Sequence, residues 1–243
     1  MEIHSKENRR RFIQTMTLGA AMFTTRGLFA ETLTQTASLT EGPFYPDRMP
    51  LDTDNDLLII NNAITPAVGE ITQLSGRLLN AAGDPVRNAF IEIWQVDAKA
   101  SYLHSGGRGP AGPDANFQGY GRFLTGSGGE YYFRTVKPVP YTLGGAFRAP
   151  HIHFAISQNG RRVLTTQVHV RGHEANERDS VLRGVRDAKL RETVLADFVP
   201  LPGSKIGELT AKFDIVMGRT AEESEGAVRG GISRPERGSR GRR

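Results

Sequence analysis

Two histidines are separated by one residue in His151-Ile152-His153, a spacing that suggests metal binding. They begin the apolar run Phe154-Ala155-Ile156, which predicts a β-strand. Because alternate side chains of a strand share a face, both imidazoles would point one way and Ile152 the other. That arrangement can bind one metal ion, although paired histidines on a strand also occur as ordinary core or surface residues.

The residues around this pair indicate which metal it would bind. No Asp or Glu lies within the strand of His151 and His153, so the carboxylate of a ferrous two-histidine site is missing there. Tyr141, one of only six tyrosines, ends the rigid extended segment Lys137-Pro138-Val139-Pro140-Tyr141, which enters the loop before the histidines. A trivalent cation favours tyrosine as its phenolate, a hard anionic ligand. The combination indicates ferric iron.

Two further features of the sequence bear on the possible sites. The chain has no cysteine, which excludes disulfides, thiolate metal sites, iron–sulfur clusters and cysteine nucleophiles. A further histidine pair, His169 and His173, is a weaker metal candidate, and a solvated loop is the simpler interpretation there.

The elements that must position these residues are mostly strands. The 28 glycines and 13 prolines suit an all-β chain with many turns. One stretch, 180–198, fits one helix or two short ones. We therefore predict a β-sandwich of mixed and antiparallel strands with long active-site loops and short helices. The segments with β-branched or aromatic alternation are 71–79, 89–95, 131–136, 152–157, 163–170 and 211–217.

The two ends of the chain differ from its middle. Residues 1–30 resemble a twin-arginine export signal, with Arg9-Arg10-Arg11 before a short apolar run; a frayed amphipathic helix is the alternative. Residues 219–243 are predicted to be a disordered Gly/Arg-rich tail. Between them we expect an N-terminal arm over 31–70 that contributes to the substrate pocket, and a catalytic sandwich over 71–218. The net charge of +5 comes from these ends, so it does not indicate a nucleic-acid partner.

Several separated motifs together resemble the intradiol ring-cleavage dioxygenases, most closely the branch of the iron-bearing beta subunit of protocatechuate 3,4-dioxygenase. The resemblance covers residues 40–218. The matching segments, in order, are Thr40-Glu41-Gly42-Pro43-Phe44-Tyr45-Pro46, Trp94-Gln95, Tyr102, Asp114-Ala115-Asn116-Phe117, Tyr132-Phe133-Arg134, Tyr141, Arg148-Ala149-Pro150-His151-Ile152-His153-Phe154, Thr166-Gln167 and Phe213-Asp214-Ile215-Val216.

The resemblance implies roles for individual residues. Four of them match the family's ferric iron ligands, namely Tyr102, Tyr141, His151 and His153. Arg148 and Gln167 match pocket residues beside the iron, and Gly42, Pro43 and Phe44 match a segment that approaches the substrate. The alternative for Arg148 is a surface salt bridge, and the alternative for Gln167 is a cross-strand hydrogen bond. For Gly42, Pro43 and Phe44 it is a plain turn. The loop between Tyr141 and His151 is shorter than in the family, which bears on the choice of substrate.

The implied activity is the cleavage of a catechol-type aromatic, protocatechuate-like, by O2 at a non-haem ferric site, giving a cis,cis-muconate-type diacid. The expected partners are a small aromatic diol and O2, with no nucleic acid and no membrane span after signal removal; self-assembly into a homo-oligomer is open. The expected location is periplasmic or extracellular. The alternatives are an exported non-catalytic β-sandwich binding module and a zinc or copper hydrolase or oxidase using the same histidines.

Overall fold

The computed structural model describes residues 32–61 and 64–218, and these form an all-β fold with short helices. Within these two ranges no helix has the length and apolar character needed to cross a membrane. The strands are β1 (Ile71–Leu79), β2 (Phe90–Trp94), β3 (Tyr120–Leu124), β4 (Glu130–Val136), β5 (Tyr141–Leu143), β6 (Ala146–Arg148), β7 (His151–Gln158), β8 (Arg161–Val170), β9 (Leu195–Ala196), β10 (Phe198–Pro200), β11 (Leu209–Lys212) and β12 (Ile215–Val216). A 3-10 helix covers Glu174–Arg178, and the α-helices are α1 (Ser180–Gly184) and α2 (Ala188–Glu192).

The first sheet is built around β1, whose side chains alternate between partly exposed and buried along its whole length. β4 is antiparallel to β1, and β11 and β12 are both parallel to it, one after the other along the same edge. The predicted single strand 211–217 is therefore wrong: it is divided at Phe213 and Asp214, where an Asp214 carboxylate oxygen accepts the Arg77 amide.

The second sheet has the order β3-β2-β7-β8-β9. Its inner face carries Ile91, Ile93, Ile152, Phe154 and Ile156, all fully buried, and packs against the first sheet. This core explains why apolar residues recur at every second position of β2 and β7.

The outer face of the second sheet is also covered. It carries a second cluster of buried residues, mostly aromatic, which lies away from the sandwich core: Tyr45, Trp94, Val96, Tyr102, Tyr120, Tyr141 and Ala155. The N-terminal arm reaches this face, because the ring of Tyr45 meets Trp94 edge-on at 5.0 Å between centroids. An antiparallel sheet whose second face is solvated would show polar residues here, so the aromatic cover marks a specialised surface.

The predicted helical stretch 180–198 is helical only in part. It contains α1 and α2, each started by an aspartate cap, Asp179 and Asp187, and its last residues form β9 and β10. The predicted signal over 1–30 and tail over 219–243 lie outside the described residues.

Candidate metal centre

Strand β7 places the two histidines as the alternation predicted. His151 and His153 lie on the outer face, both buried, while Ile152 packs in the core. Their Nε2 atoms are 3.0 Å apart. The Nδ1–H of His151 donates to the carbonyl of Ala149 at 2.6 Å, which leaves its Nε2 as the nitrogen with a free lone pair.

Two tyrosines reach the same point from different elements. Tyr102 lies in the loop after β2, and Tyr141 begins β5; their hydroxyl oxygens are 3.1 Å apart. The Tyr141 oxygen is 3.4 Å from Nε2 of His151. Ligand atoms bound at about 2.1 Å to one ion, at roughly right angles, lie about 3.0 Å from each other. The spacing of these side chains fits a single metal ion, and we refer to Tyr102, Tyr141, His151 and His153 as the donor tetrad.

Burial determines the charge state of the tetrad. It lowers the pKa of both His151 and His153 well below the usual value, and the nearby Arg148 cation lowers it further. The imidazoles are therefore neutral, which is the form that ligates metals. Burial also raises the pKa of Tyr102 and Tyr141. Two adjacent buried phenols can both lose their protons only beside a strong positive charge, so the donor set fits a highly charged cation.

Arg148 lies directly across a short hairpin from Tyr141. The segment predicted as a loop before the histidines is in fact the pair β5 and β6, in which Tyr141 is the register partner of Arg148. The turn needs left-handed backbone at both Gly144 (φ 59°) and Gly145 (φ 79°), which only glycine adopts easily. This hairpin brings a cation within hydrogen-bonding reach of Tyr141, which lowers the pKa of that hydroxyl against the effect of burial.

The Arg148 guanidinium is held on two sides. Its Nε donates to Asp179 at 3.0 Å, and a terminal nitrogen donates to Oε1 of Gln167 at 2.5 Å. Gln167 is the register partner of His153 across β7 and β8, and its side-chain amide donates to the carbonyl of Thr40 at 2.7 Å. Arg148 and Gln167 are both buried, so the surface salt bridge considered for Arg148 is wrong.

The arm segment 42–44 approaches the tetrad with two of its three residues. A Cβ atom at Gly42 would lie 3.5 Å from Cε1 of His153. The Phe44 ring stacks on Tyr102 at 4.7 Å between centroids and lies edge-on to Tyr141 at 6.4 Å. Pro43 is exposed.

His169 corrects the interpretation of the second histidine pair. It is fully buried and stacks on His151 at 5.3 Å, and burial lowers its pKa to about 4. Among the described residues neither of its ring nitrogens has a hydrogen-bond partner. His173 lies in the loop that was expected and caps the 3-10 helix by accepting the Ala175 amide.

Asp179 was missed by the sequence patterns, since nothing local distinguishes it from other helix caps. With His151 and His169 it forms a second group whose ligand atoms lie within 4.8 Å of one another. Its Oδ2 accepts Arg148 Nε and the Ala149 amide, and its Oδ1 accepts the Val181 and Leu182 amides. A carboxylate already used this fully is poorly placed to bind an ion, so the donor tetrad is the better metal site.

Trp94 was quoted only as part of a motif, but it supports a tetrad histidine directly. Its indole stacks on His153 with centroids 4.7 Å apart and planes 8° apart. The alternating pattern of the sequence predicted the strand that carries Trp94, but it did not predict the stacking of Trp94 on His153.

Comparisons with known proteins show which family the chain resembles. A family model described as Dioxygenase matches residues 40–218. The beta chain of protocatechuate 3,4-dioxygenase from Burkholderia cepacia is 35% identical over 185 residues, which are 74% of this chain and 77% of that protein. Hydroxyquinol 1,2-dioxygenase from Rhodococcus opacus is 28% identical over 203 residues, 75% of this chain and 63% of that protein, so the chain spans less than two thirds of that relative.

A solved structure shares the fold. Catechol 1,2-dioxygenase from Acinetobacter sp. ADP1 matches with a TM-score of 0.62 and 23% identity, covering 93% of this chain and 73% of that chain. The family match extends over most of this chain, and the sequence identity to the protocatechuate enzyme supports it. This chain is an enzyme that belongs to the intradiol ring-cleavage dioxygenases.

Proposed function

We propose that the donor tetrad holds a ferric ion and that the chain cleaves a catechol between its two hydroxyl-bearing carbons, with both atoms of O2 entering the product. The proposed substrate is protocatechuate-like, a catechol with a carboxylate on the ring. The observation that carries this proposal is the convergence of two phenol oxygens and two imidazole nitrogens, with successive distances of 3.1, 3.4 and 3.0 Å.

The kind of donor supports ferric iron over zinc or copper. Two phenolates are hard anionic ligands that offset much of a trivalent charge, whereas zinc sites use thiolate, imidazole and carboxylate ligands. The described part of the chain offers no cysteine, and Asp179 is occupied by four hydrogen bonds. A zinc or copper enzyme remains the alternative that metal analysis would reveal.

Tyr141 is the residue that we expect to move a proton. Its Oη is next to Arg148. Burial raises the pKa of Tyr141, and the hydrogen bond with Tyr102, followed by the charge and hydrogen bond of Arg148, opposes that effect. Tyr102, in contrast, is stacked against Phe44 and has a pKa raised well above the usual value. Tyr141 is therefore the better group to leave the centre as a phenolate and to accept a substrate hydroxyl proton at Oη.

Arg148 supplies a fixed positive charge beside the reacting ring. When bound, ferric iron would draw electron density from the catechol and make a ring carbon reactive towards O2. Negative charge that develops on the substrate would be stabilised by the guanidinium, which Asp179 and Gln167 hold in place before the reaction starts. Phe44 and Gly42 would cover the centre and limit the access of water.

The choice of a carboxylated catechol rests on similarity. The relative at 35% identity is named for protocatechuate, and the one at 28% identity for hydroxyquinol. We expect the connection between Tyr141 and His151 to be shorter than in the family, which would change the wall of the pocket, so the ring substituents are the part of the proposal that needs a direct measurement.

Oxygen uptake with a panel of protocatechuate, catechol and hydroxyquinol tests both parts. We expect a red-brown protein, coloured by phenolate-to-iron charge transfer, whose kcat/KM is highest for protocatechuate and whose product absorbs as a muconate-type diacid. A colourless or blue-green protein that consumes no O2 with any of the three would reject the ferric mechanism. A different preferred catechol would reject only the substrate.

Tyrosine variants test the proposed roles. Tyr141→Phe should shift the colour and lower kcat by about 100-fold, because the proton acceptor is lost. Tyr102→Phe should reduce the iron content after dialysis. Tyr132→Phe, on β4 in the first sheet, is the control and should leave the colour, kcat and the iron content unchanged. If both tetrad variants keep the parental colour and rate, these two tyrosines are not ligands.

A further inference from the structure

Glu92 is a fully buried carboxylate that lies outside the donor tetrad. It sits on β2, on the same outer face as Trp94. The hydroxyls of Tyr45 (3.0 Å) and Tyr120 both donate to its Oε1, and a terminal nitrogen of Arg162 donates to its Oε2 at 3.0 Å. Burying a carboxylate is costly unless it is paired and hydrogen-bonded, and Glu92 meets both conditions through these three partners.

Arg162 connects Glu92 to the N-terminal arm. Besides Glu92 it donates to the carboxylate of Glu41, and its guanidinium lies 4.9 Å above the ring of Tyr45. The arm segment 41–45 is therefore attached at both ends: Glu41 is bound by Arg162, and Tyr45 is bound by Glu92.

The residues between these two attachments are the ones that contact the tetrad. Gly42 approaches His153, and Phe44 stacks on Tyr102. The packing is tight, since a Cβ atom at Gly107 would lie 2.7 Å from Cδ1 of Phe44 and 2.9 Å from Cδ2 of Tyr102. A small displacement of the arm would therefore move Phe44 against a tetrad side chain.

Tyr45 also reaches the tetrad by a second route. Its ring meets Trp94 edge-on at 5.0 Å and 86°, and Trp94 stacks on His153. The orientation of one histidine of the tetrad is thus supported by a ring that the Glu92 carboxylate fixes.

We propose that Glu41, Arg162, Glu92 and Tyr45 form a clasp, a set of positioning residues that holds the arm segment 42–44 over the metal centre and sets the shape of the substrate pocket. None of the four belongs to the tetrad. The effect on catalysis rests on the proposed function, whereas the effect on the arm does not.

Two variants open the clasp from its two sides. In Arg162→Gln, Glu92 keeps the hydroxyls of Tyr45 and Tyr120, and Arg122 stays at 3.9 Å. In Glu41→Gln the change is made on the arm itself. The side chains of Arg162 and Glu41 are 24% and 32% exposed, so their ion pair should add little to global stability. Arg171→Gln is the matched control, because it removes another arginine that bridges two carboxylates, Glu192 and Asp197, neither of which belongs to the arm.

The first readout is hydrogen exchange of the metal-free chain. We expect the backbone amides of 41–45 to exchange about tenfold faster in both clasp variants. In Glu41→Gln the amides of β7 and the melting temperature should stay close to the parent, whereas Arg162→Gln should also lower the melting temperature, because the buried Glu92 loses its nearest cation. The emission of Trp94, the single tryptophan of the chain, should change with them because its contact with Tyr45 loosens. Arg171→Gln should leave both signals at the parental level.

The second readout is kinetic and uses the iron-loaded enzyme. Because the arm shapes the pocket, KM for the best catechol should rise by about fivefold in both variants while kcat changes by less than about twofold. Parental exchange at 41–45 in both variants, or an even loss of protection over the whole chain in Glu41→Gln, would overturn the clasp. If the parent cleaves no catechol, the proposed function fails, and the exchange measurement still decides whether the clasp exists.

Discussion

Arg148 owes its orientation to one carboxylate that comes from a distant part of the chain. Asp179 lies 31 residues further on, is fully buried, and accepts both the Arg148 Nε–H and the Ala149 amide, which lies two residues before His151. Burial alone would raise the pKa of Asp179, but the Leu182 amide and the Arg148 charge lower it overall, so it carries a negative charge. The carboxylate therefore fixes the cation and the start of β7 together.

Replacing this carboxylate should be costly. Asp179→Ala leaves the buried guanidinium without its partner, and we expect the free energy of unfolding to fall by about 3 kcal/mol or more. Asp187→Ala is the matched control: Asp187 also caps a five-residue helix, but its side chain accepts only the Leu190 amide and is exposed, so the loss should be about 1 kcal/mol. Urea unfolding of the metal-free chain measures both. Equal losses would mean that Asp179 acts only as a helix cap.

At the scale of elements, the β5–β6 hairpin is the element that places Tyr141 and Arg148 side by side. It carries Tyr141 at one end and Arg148 at the other, directly opposite in register, and β7 follows after two residues. Its conformation depends on the two glycines of its turn, since both have positive φ. Strain in this turn should therefore be transmitted to Tyr141 and Arg148.

A pair of glycine substitutions separates this effect from general destabilisation. Gly145 (φ 79°) and Gly160 (φ 75°) lie in two hairpin turns with similar backbone, and a Cβ atom at either would meet nothing within 4 Å. Gly145→Ala and Gly160→Ala should each destabilise the fold by about 1 kcal/mol. Only Gly145→Ala should also lower kcat/KM, by about tenfold, because a misplaced catalytic group is costly. Comparable kcat/KM for the two variants would exclude a special role of this hairpin.

At the scale of the whole molecule, the outer face of the second sheet is where separate parts of the chain meet. The arm, the loop of Tyr102, the β5–β6 hairpin and the segment around Asp179 all converge there, while the inner face is used for the sandwich core. One sheet thus supplies stability with one face and the site with the other, because its alternate residues belong to different faces.

Export remains a prediction from residues 1–30, which lie outside the described residues. Fused to a reporter that folds before transport, this segment should direct it out of the cytoplasm. Replacing Arg9, Arg10 and Arg11 by lysine keeps the charge and should abolish transport if the arginines themselves are recognised. Cell fractionation provides the measurement, and equal transport of both fusions would contradict a twin-arginine signal.

Local patterns predicted much of the fold. The period-two alternation located most of the long strands and placed His151 and His153 on one face, because side-chain direction in a strand follows from covalent geometry alone. Strands β5 and β6 gave no such signal, since a run of three residues shows no period, and in β3 the glycine at position 121 interrupts the pattern.

The sequence by itself determined the strand pattern, the paired histidines, the absence of thiolate ligands and, through its family resemblance, the candidate tetrad. Only the tertiary structure decided that Tyr102 and Tyr141 meet His151, that His169 is buried beside them, and that Asp179 and Glu92 hold the surrounding groups. Most of these contacts join residues far apart in the chain: 31 positions for Arg148 with Asp179, 39 for Tyr102 with Tyr141 and 47 for Tyr45 with Glu92. Whether such residues touch depends on how the two sheets, the arm and the loops pack, and no local periodicity contains that information.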